Sequence, residues 1–156
     1  MKHETQALHL ANMMQKHVSY PTYELTLPLV KVRNNKLKKL NENDLLLTGI
    51  DRLELLLMNG NTIYATMRLR MMKNAHGAEI VHVAEDTIEQ SDSKKYKILK
   101  ISFGTVQSKA LEIGSTIDIT HVDLEKVTLV SECKIIAEGS LVNVDEEIAI
   151  KIKKVN

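Results

Sequence analysis

Six histidines, one cysteine and a run of three acids are the side chains in this 156-residue chain whose types could carry chemistry. His3, His9, His17, His76, His82 and His121 could act as metal ligands or a general base only if spacing gathered them. His3 and His9 are too far apart for one helical turn, and no histidine shares a Cys/His cluster with zinc-like spacing. His82 sits in Ile80-Val81-His82-Val83, where strand alternation turns it toward solvent. Cys133 has no neighbouring base to generate a thiolate, and Asp145-Glu146-Glu147 reads as a solvated turn. There is no Gly-rich phosphate loop, no G-x-S-x-G elbow and no H-E-x-x-H. The reading is a chain with no catalytic residue, no cofactor and no metal site, hence not an enzyme.

Charge narrows the partners. The formal net charge is +1, which supplies no general attraction to nucleic acid or acidic membranes. Residues 1–40 nevertheless carry seven cations against two carboxylates, and the remainder fourteen against eighteen. The densest group is Lys31, Arg33, Lys36, Lys38 and Lys39, read as a solvated turn or a contact for an acidic protein. No aromatic residue interleaves with these charges to stack on bases, so a small β-barrel nucleic-acid adaptor is a remote alternative. No apolar stretch approaches the length of a membrane span. His9, Asn12, Gln15, Lys16 and His17 interrupt the apolar region a signal peptide needs, and one cysteine cannot form an internal disulfide. A soluble, cytoplasmic protein is expected.

The core must be aliphatic, because the chain has one Phe, four Tyr and no Trp. Leu8, Ala11, Met14 and Val18 recur at helical spacing and predict a short N-terminal helix over 5–18, ended before Pro21. From Tyr23 the period becomes two. Leu25, Leu27, Leu29, Val30 and Val32 predict a strand, Asp44 to Leu47 another, and Leu53 to Met58 a third closed by the hairpin signal Asn59-Gly60. Ile63 to Leu69 and Ala78 to Ala84 complete the first half, and residues 86–95 lose the pattern and read as a linker. The second half follows with strands at Ile98–Phe103, Thr116–Ile119, Val127–Val130, Ile135–Val144 and Ile148–Val155. A short helical turn is expected at Ala110–Ser115.

These halves repeat one another. A shift of 72 residues lays Leu27 over Leu99, Leu29 over Ile101, Leu45 over Ile117 and Leu47 over Ile119. It also lays Leu55 over Val127, Leu57 over Leu129, Ile63 over Ile135, Ala65 over Ala137 and Leu69 over Leu141. A gap of two or three residues then sets Ile80 near Ile148 or Ile150. One offset serving successive elements predicts an internal duplication. Strand-rich repeats of roughly 60–70 residues with aliphatic cores bury too little surface to stand alone, so each is expected to be covered by its sister or by another subunit.

The second repeat resembles a known family. A strand ends in Phe103-Gly104. Ala110-Leu111-x-Ile113-Gly114-Ser115-x-Ile117-x-Ile119 follows, then Val127-x-Leu129-Val130, then Ile136-Ala137-Glu138-Gly139-Ser140-Leu141-Val142-Asn143-Val144-Asp145 and Ile150-Lys151-Ile152. This order resembles the SPOA (surface presentation of antigens) module of flagellar motor switch proteins of the FliM/FliN type and type III secretion sorting-platform proteins of the SctQ type. It covers residues 97–155, with Gly104, Gly114 and Gly139 as the matching glycines. The first repeat matches more weakly. Met67 stands where Gly139 does, and Asn43-Asp44 stands where Gly114-Ser115 does, so a side chain occupies a glycine position.

The resemblance implies a mainly β fold in which two tandem modules form an intertwined, β-barrel-like pseudo-dimer behind a short N-terminal helix. The expected organisation is an extension over 1–22, a degenerate first module over 23–85, a linker over 86–96 and a second module over 97–156. An extended linker of that length reaches roughly 35 Å, enough to cross a small domain. Leu55, Leu57, Ile63, Val127, Leu129 and Ile135 are the expected seam residues. Partner proteins of the family dock along the strand after the small-x-Gly step, which here is Leu141, Val142 and Val144. Successive strand residues face opposite sides, so one of Leu141 and Val142 is expected to be exposed unless covered. The resemblance further implies a non-enzymatic scaffold of the cytoplasmic sorting platform (C-ring) of a type III secretion system, a virulence-associated protein-transport apparatus. It would bind the stator or ATPase-regulator protein and self-associate in the bacterial cytoplasm, meeting the inner membrane only through the apparatus. A flagellar motor switch component is the alternative. Full-length platform proteins carry a larger N-terminal domain, so a fragment, an internal-start product and a short form stay open.

Overall fold

The structure, a computed structural model, describes residues 20–72, 75–88 and 95–156. The expected helix over 5–18 and most of the expected linker lie outside these residues. In chain order the elements are β1 (Thr22–Thr26), β2 (Val30–Arg33), α1 (Asn34–Lys38), β3 (Leu45–Ile50), β4 (Glu54–Asn59), β5 (Thr62–Met72) and β6 (Ala75–Thr87). They continue with β7 (Tyr96–Gln107), β8 (Thr116–Asp118), β9 (Lys126–Ser131), β10 (Lys134–Val144) and β11 (Glu147–Val155).

Several boundaries differ from the sequence expectation for local reasons. The strand read through Leu25–Val32 is split into β1 and β2 around Pro28, which has no N–H to give a ladder. The segment read as a linker over 86–96 loses Asp86 and Thr87 to β6 and Tyr96 to β7. Ala110–Ser115 is not a helical turn. Its chain bends at Gly114, whose φ of 92° is left-handed and whose N–H donates to the Ile80 carbonyl at 2.8 Å.

All eleven strands join one sheet, ordered β3-β11-β10-β9-β7-β1-β4-β5-β6-β8, with β2 pairing β7 beside that path. Every pairing is antiparallel. The sheet is not closed into the expected barrel. Its path ends at β3 and β8, and barrel closure would require those two strands to pair, but each is taken up by a long strand of the opposite half. One cluster of buried side chains nonetheless runs from Leu46 of β3 through Leu25, Leu57, Leu99, Ile101 and Leu129 to Ile117 of β8. Among the described residues no second sheet covers this face, and side chains from both end strands, Leu46 and Ile117, belong to the one cluster.

The strand order is a palindrome of the repeat. Exchanging each strand of the first half for its counterpart in the second turns the order into its own reverse. The registers agree in detail. Leu25 pairs Gly104 and Val32 pairs Lys97, and adding 72 to Leu25 and Val32 gives Lys97 and Gly104. Bulges repeat too. Tyr64 is left out between the pairs Met58–Ile63 and Leu57–Ala65, and Ile136 between Val130–Ile135 and Leu129–Ala137. Val81 is left out between Met67–Ile80 and Thr66–His82, and Lys153 between Gly139–Ile152 and Glu138–Lys154. Ile80 therefore corresponds to Ile152, and the gap expected from the sequence does not exist. The symmetry breaks at Pro28, which stands where the second half has Lys100. There β4 pairs Glu24–Thr26, whereas Lys100–Ser102 pair β9.

Gly139 and Met67 occupy the same bulge in the two halves, and their side-chain neighbours differ to match. A Cβ on Gly139 would lie 2.4 Å from the Lys151 carbonyl oxygen and 2.9 Å from Cγ2 of Ile150. In the first half Met67 is fully buried, and the residue matching Ile150 is the small Ala78. Gly with Ile and Met with Ala fill comparable space, which accounts for the side-chain contact; the closer approach of the Lys151 carbonyl is set by backbone position and not by this exchange. Because the nearest atom is backbone, Gly139→Ala is expected to destabilise the chain by about 2–3 kcal/mol, read as the shift of a urea midpoint. Ile150→Ala in the same chain should not restore that loss, since it leaves the carbonyl contact in place.

Candidate protein-interaction surface

The two sheet ends are built differently, and the difference begins with one residue. In β8 and just after it, Ile117 and Ile119 are buried, with exposures of 8% and 0%. The alignment that laid Leu45 and Leu47 over them puts those leucines in the core as well, but Leu45 is 53% and Leu47 50% exposed. The inward residues of β3 are Leu46 and Thr48. At this strand alone the repeat offset is 71, so Leu46 matches Ile117 and Thr48 matches Ile119. The flanking hydrogen bonds confirm that offset. Gly114 N–H donates to Ile80 O and Ile80 N–H to Ser115 O, and likewise Asn43 N–H donates to Ile152 O and Ile152 N–H to Asp44 O. Asn43 takes the left-handed conformation of Gly114, with φ of 72°, which asparagine tolerates best among non-glycine residues. A one-residue slip moves every side chain of a strand to the other face. Thus the first repeat keeps its expected Asn43-Asp44 turn, and the slip carries Leu45 and Leu47 outside.

The outward leucines continue across two strands. Leu46 pairs Ile150 and Ile150 pairs Leu141, forming an inward row. Leu47 pairs Ala149 and Ala149 pairs Val142, forming the outward row beside it. Leu141 packs against the core. Leu141 and Val142 are both half-buried, so neither is exposed as expected. They differ in that Leu141 is packed on the core cluster, whereas Val142, in the outward row with half-buried Val144 two residues on, is not. Ala149, between Leu47 and Val142, is fully buried. The outcome is an apolar strip of exposed Leu45 and Leu47 on β3 and half-buried Val142 and Val144 on β10, with buried Ala149 of β11 between them.

The strip has charged ends of opposite sign. Lys151, paired with Leu45, and Lys153 beyond it are exposed on β11. At the other end lie exposed Asp145 and Glu146, in a two-residue turn with φ of 49° and 67°, and Glu147. Glu147 also fixes the strip, its Oε1 accepting Gly49 N–H at 2.5 Å, while the Thr48 hydroxyl donates to Ile148 O at 2.5 Å. The free edge of β3 adds a row of backbone groups without a neighbouring strand among the described residues.

The expected seam residues divide. Leu55, Leu57, Val127 and Leu129 are buried in the common core. Ile135 does not belong there, being 53% exposed, and Ile63 is only partly buried. Both adjoin the bulged residues Tyr64 and Ile136, which displace the alternation before the core begins. The main-chain seam between halves runs instead along β1 and β2 on β7, β3 on β11 and β8 on β6. An ion pair crosses it, Lys100 Nζ standing 2.7 Å from Glu24 Oε1. Of the expected glycines, Gly104 has a φ of 124° at the irregular pairing opposite Leu25.

The chemically capable side chains are dispersed. His82, His121 and Cys133 are exposed, and no group of three His, Cys, Asp or Glu side chains is placed to hold a metal among the described residues. Two hydrogen bonds from Thr120, at 2.5 Å from its hydroxyl and 2.9 Å from its N–H, hold the Asp118 carboxyl below its ordinary range. The Lys97 ammonium, 2.8 Å away, does the same for Glu132. The basic residues Lys31, Arg33, Lys36, Lys38 and Lys39 are all exposed on β2 and around α1, with the Lys31 ammonium 5.0 Å from the Tyr96 ring centre. A cleft of about 370 Å³ lined by Arg33, Asn35, Lys95 and Tyr96 lies beside them. No described helix is long and apolar enough to cross a membrane. No family model and no curated protein matches this chain.

Proposed function

We propose that the chain is a non-enzymatic scaffold: two strand modules of one ancestry interlocked within one chain, presenting an apolar strip to partner proteins. The observation that carries this reading is the exchange of end strands, β3 onto β11 and β8 onto β6. Exchange makes each half the cover for the other, as a pair of incomplete modules requires. The order of residues 97–155 resembles SPOA modules, and the palindromic sheet is the arrangement expected of a tandem pair. On that basis the chain serves the cytoplasmic sorting platform of a type III secretion system, binding the stator or ATPase-regulator protein and assembling with other platform subunits. The partner surface is the outer face at Val142 and Val144, next to Ala149 and Leu47.

Affinity capture with the tagged chain from a Gram-negative cytoplasm tests this directly. Enrichment of a secretion-ATPase regulator and platform subunits is the expected result. Enrichment of a flagellar switch protein would move the assignment to the rotor. Recovery of RNA or DNA without a protein partner would overturn the scaffold reading.

A further inference from the structure

We infer that β2 is a docking edge for an extended acidic segment of another protein, which pairs antiparallel with its free side and sets carboxylates against Lys31 and Arg33. This surface is separate from the outer face at Val142, and the inference does not depend on that face. It starts from the pairing of β2. The Asn34 N–H donates to the Lys95 carbonyl at 2.8 Å, in step with the pairs Val30–Leu99 and Val32–Lys97. Hydrogen-bonded pairs alternate along an antiparallel ladder, so Lys31 and Arg33 turn their N–H and C=O groups away from β7. No other strand takes up those groups among the described residues. The repeat-related stretch, Ser102–Thr105, is distorted at Gly104, the counterpart of Val32, with a φ of 124°. β2 has no such break, and all four of its residues pair in register.

Side chains select the occupant. Val30 and Val32 are buried, and Lys31 and Arg33 stand exposed on the opposite face. Lys36 and Lys38 on α1 and Lys39 just after it are exposed as well. None of these five cations is paired with a carboxylate among the described residues. The acids that follow in the chain are exposed Glu42 and half-buried Asp44, whose carboxylate accepts the Asn41 N–H at 2.8 Å. Across the ladder Lys97 faces Val32, and Glu132 already meets its ammonium. A second copy of β2 would bring like charge to like, so the edge is closed to self-pairing and open to an acidic strand. The outward carbonyls of Lys31 and Arg33 need N–H donors, which a peptide supplies and a phosphate chain does not. An added strand alternates its side chains, so acids at every second position face Lys31 and Arg33 together. The cleft of about 370 Å³ lined by Arg33, Asn35, Lys95 and Tyr96 lies at the Arg33 end of β2 and has room for a further acid side chain.

Titrating the full chain with an end-capped ten-residue peptide of alternating Glu and Thr should give saturable binding below roughly 1 mM at low salt. The same residues with all glutamates grouped at one end should bind at least about threefold more weakly. Lys31→Glu and Arg33→Glu, both at exposed positions, should each weaken binding at least about tenfold with no loss of folded structure. Methylated amides read the edge independently of charge. In an antiparallel addition the residues opposite Lys31 and Arg33 turn their own N–H groups to β2. N-methylation at the glutamates should therefore abolish binding, and N-methylation at the threonines should spare it. No saturation, indifference to both charge reversals, equal affinity for the grouped peptide, the reverse methylation pattern, or equal binding of a ten-residue thymidine oligonucleotide would overturn the proposal. So would a tenfold gain in affinity on combining Glu89→Gln with Asp92→Asn, because the chain's own acids would then be the occupants. Val142→Glu should leave peptide binding unchanged, which separates the outcome here from the fate of the outer-face reading.

Discussion

Leu141→Glu should destabilise the chain by about 2–4 kcal/mol, whereas Val142→Glu should leave it as stable as the parent while abolishing partner capture. The two residues are adjacent, so the contrast isolates direction. Leu141 shares an inward row with Ile150 and Leu46, which are 0% and 4% exposed, and a carboxylate there must either be desolvated or push the row apart. In a domain of this size such a loss lowers Tm by about 5–15 °C, readily resolved by scanning calorimetry or circular dichroism. Val142 stands in the outward row with Ala149 and Leu47, where a carboxylate reaches water. It would, however, place charge in the middle of an apolar strip that a partner must desolvate. Unfolding by both substitutions would mean that the strip is buried in the working protein. Retained capture by Val142→Glu would remove the outer face from the proposal.

Cutting the backbone between Ile88 and Lys95 should yield two halves that are unstable alone and fold together. Residues up to 88 then hold β3 and β6 without β11 and β8, and they lack the long strand β7 on which β1 and β2 form. Residues from 95 onward lose the same contacts in reverse. Each fragment keeps its inner hairpins but exposes a row of leucines and isoleucines that the intact chain shares. Mixing should restore one cooperative transition. Its midpoint should rise with concentration, because cutting replaces an effective concentration on the order of millimolar by the actual one. Two fragments that fold singly as monomers and ignore each other would defeat the interlocked arrangement.

Much of this architecture is written in the alternation of apolar and polar residues. The strand-rich character, the Asn59-Gly60 hairpin and the offset that matches Leu27 with Leu99 and Ala65 with Ala137 all follow from residues close in sequence. Local sterics and the requirement to bury one strand face act within a few residues, which is why they can be read directly. Met67 against Gly139 already signalled that the repeats differ, but the contacts behind it, the Lys151 carbonyl and the exchange of Ile150 for Ala78, lie on a neighbouring strand and needed the packed sheet to be seen.

Which face of β3 is inward could not be read in the same way. Leu45, Leu46 and Leu47 are chemically equivalent neighbours, so alternation offers two faces and names neither. Pairing with β11, roughly a hundred residues away in the chain, selects Leu46 for the core and sends Leu45 and Leu47 out. The same holds for Leu141 and Val142, and for the strand exchange as a whole. Sequence alone determined most of the strands and the repeated order of their apolar residues, because those are set by local period. Tertiary structure decided register and partner between distant strands, because a shift of one residue leaves composition unchanged and reverses every side chain that the core and the surface receive.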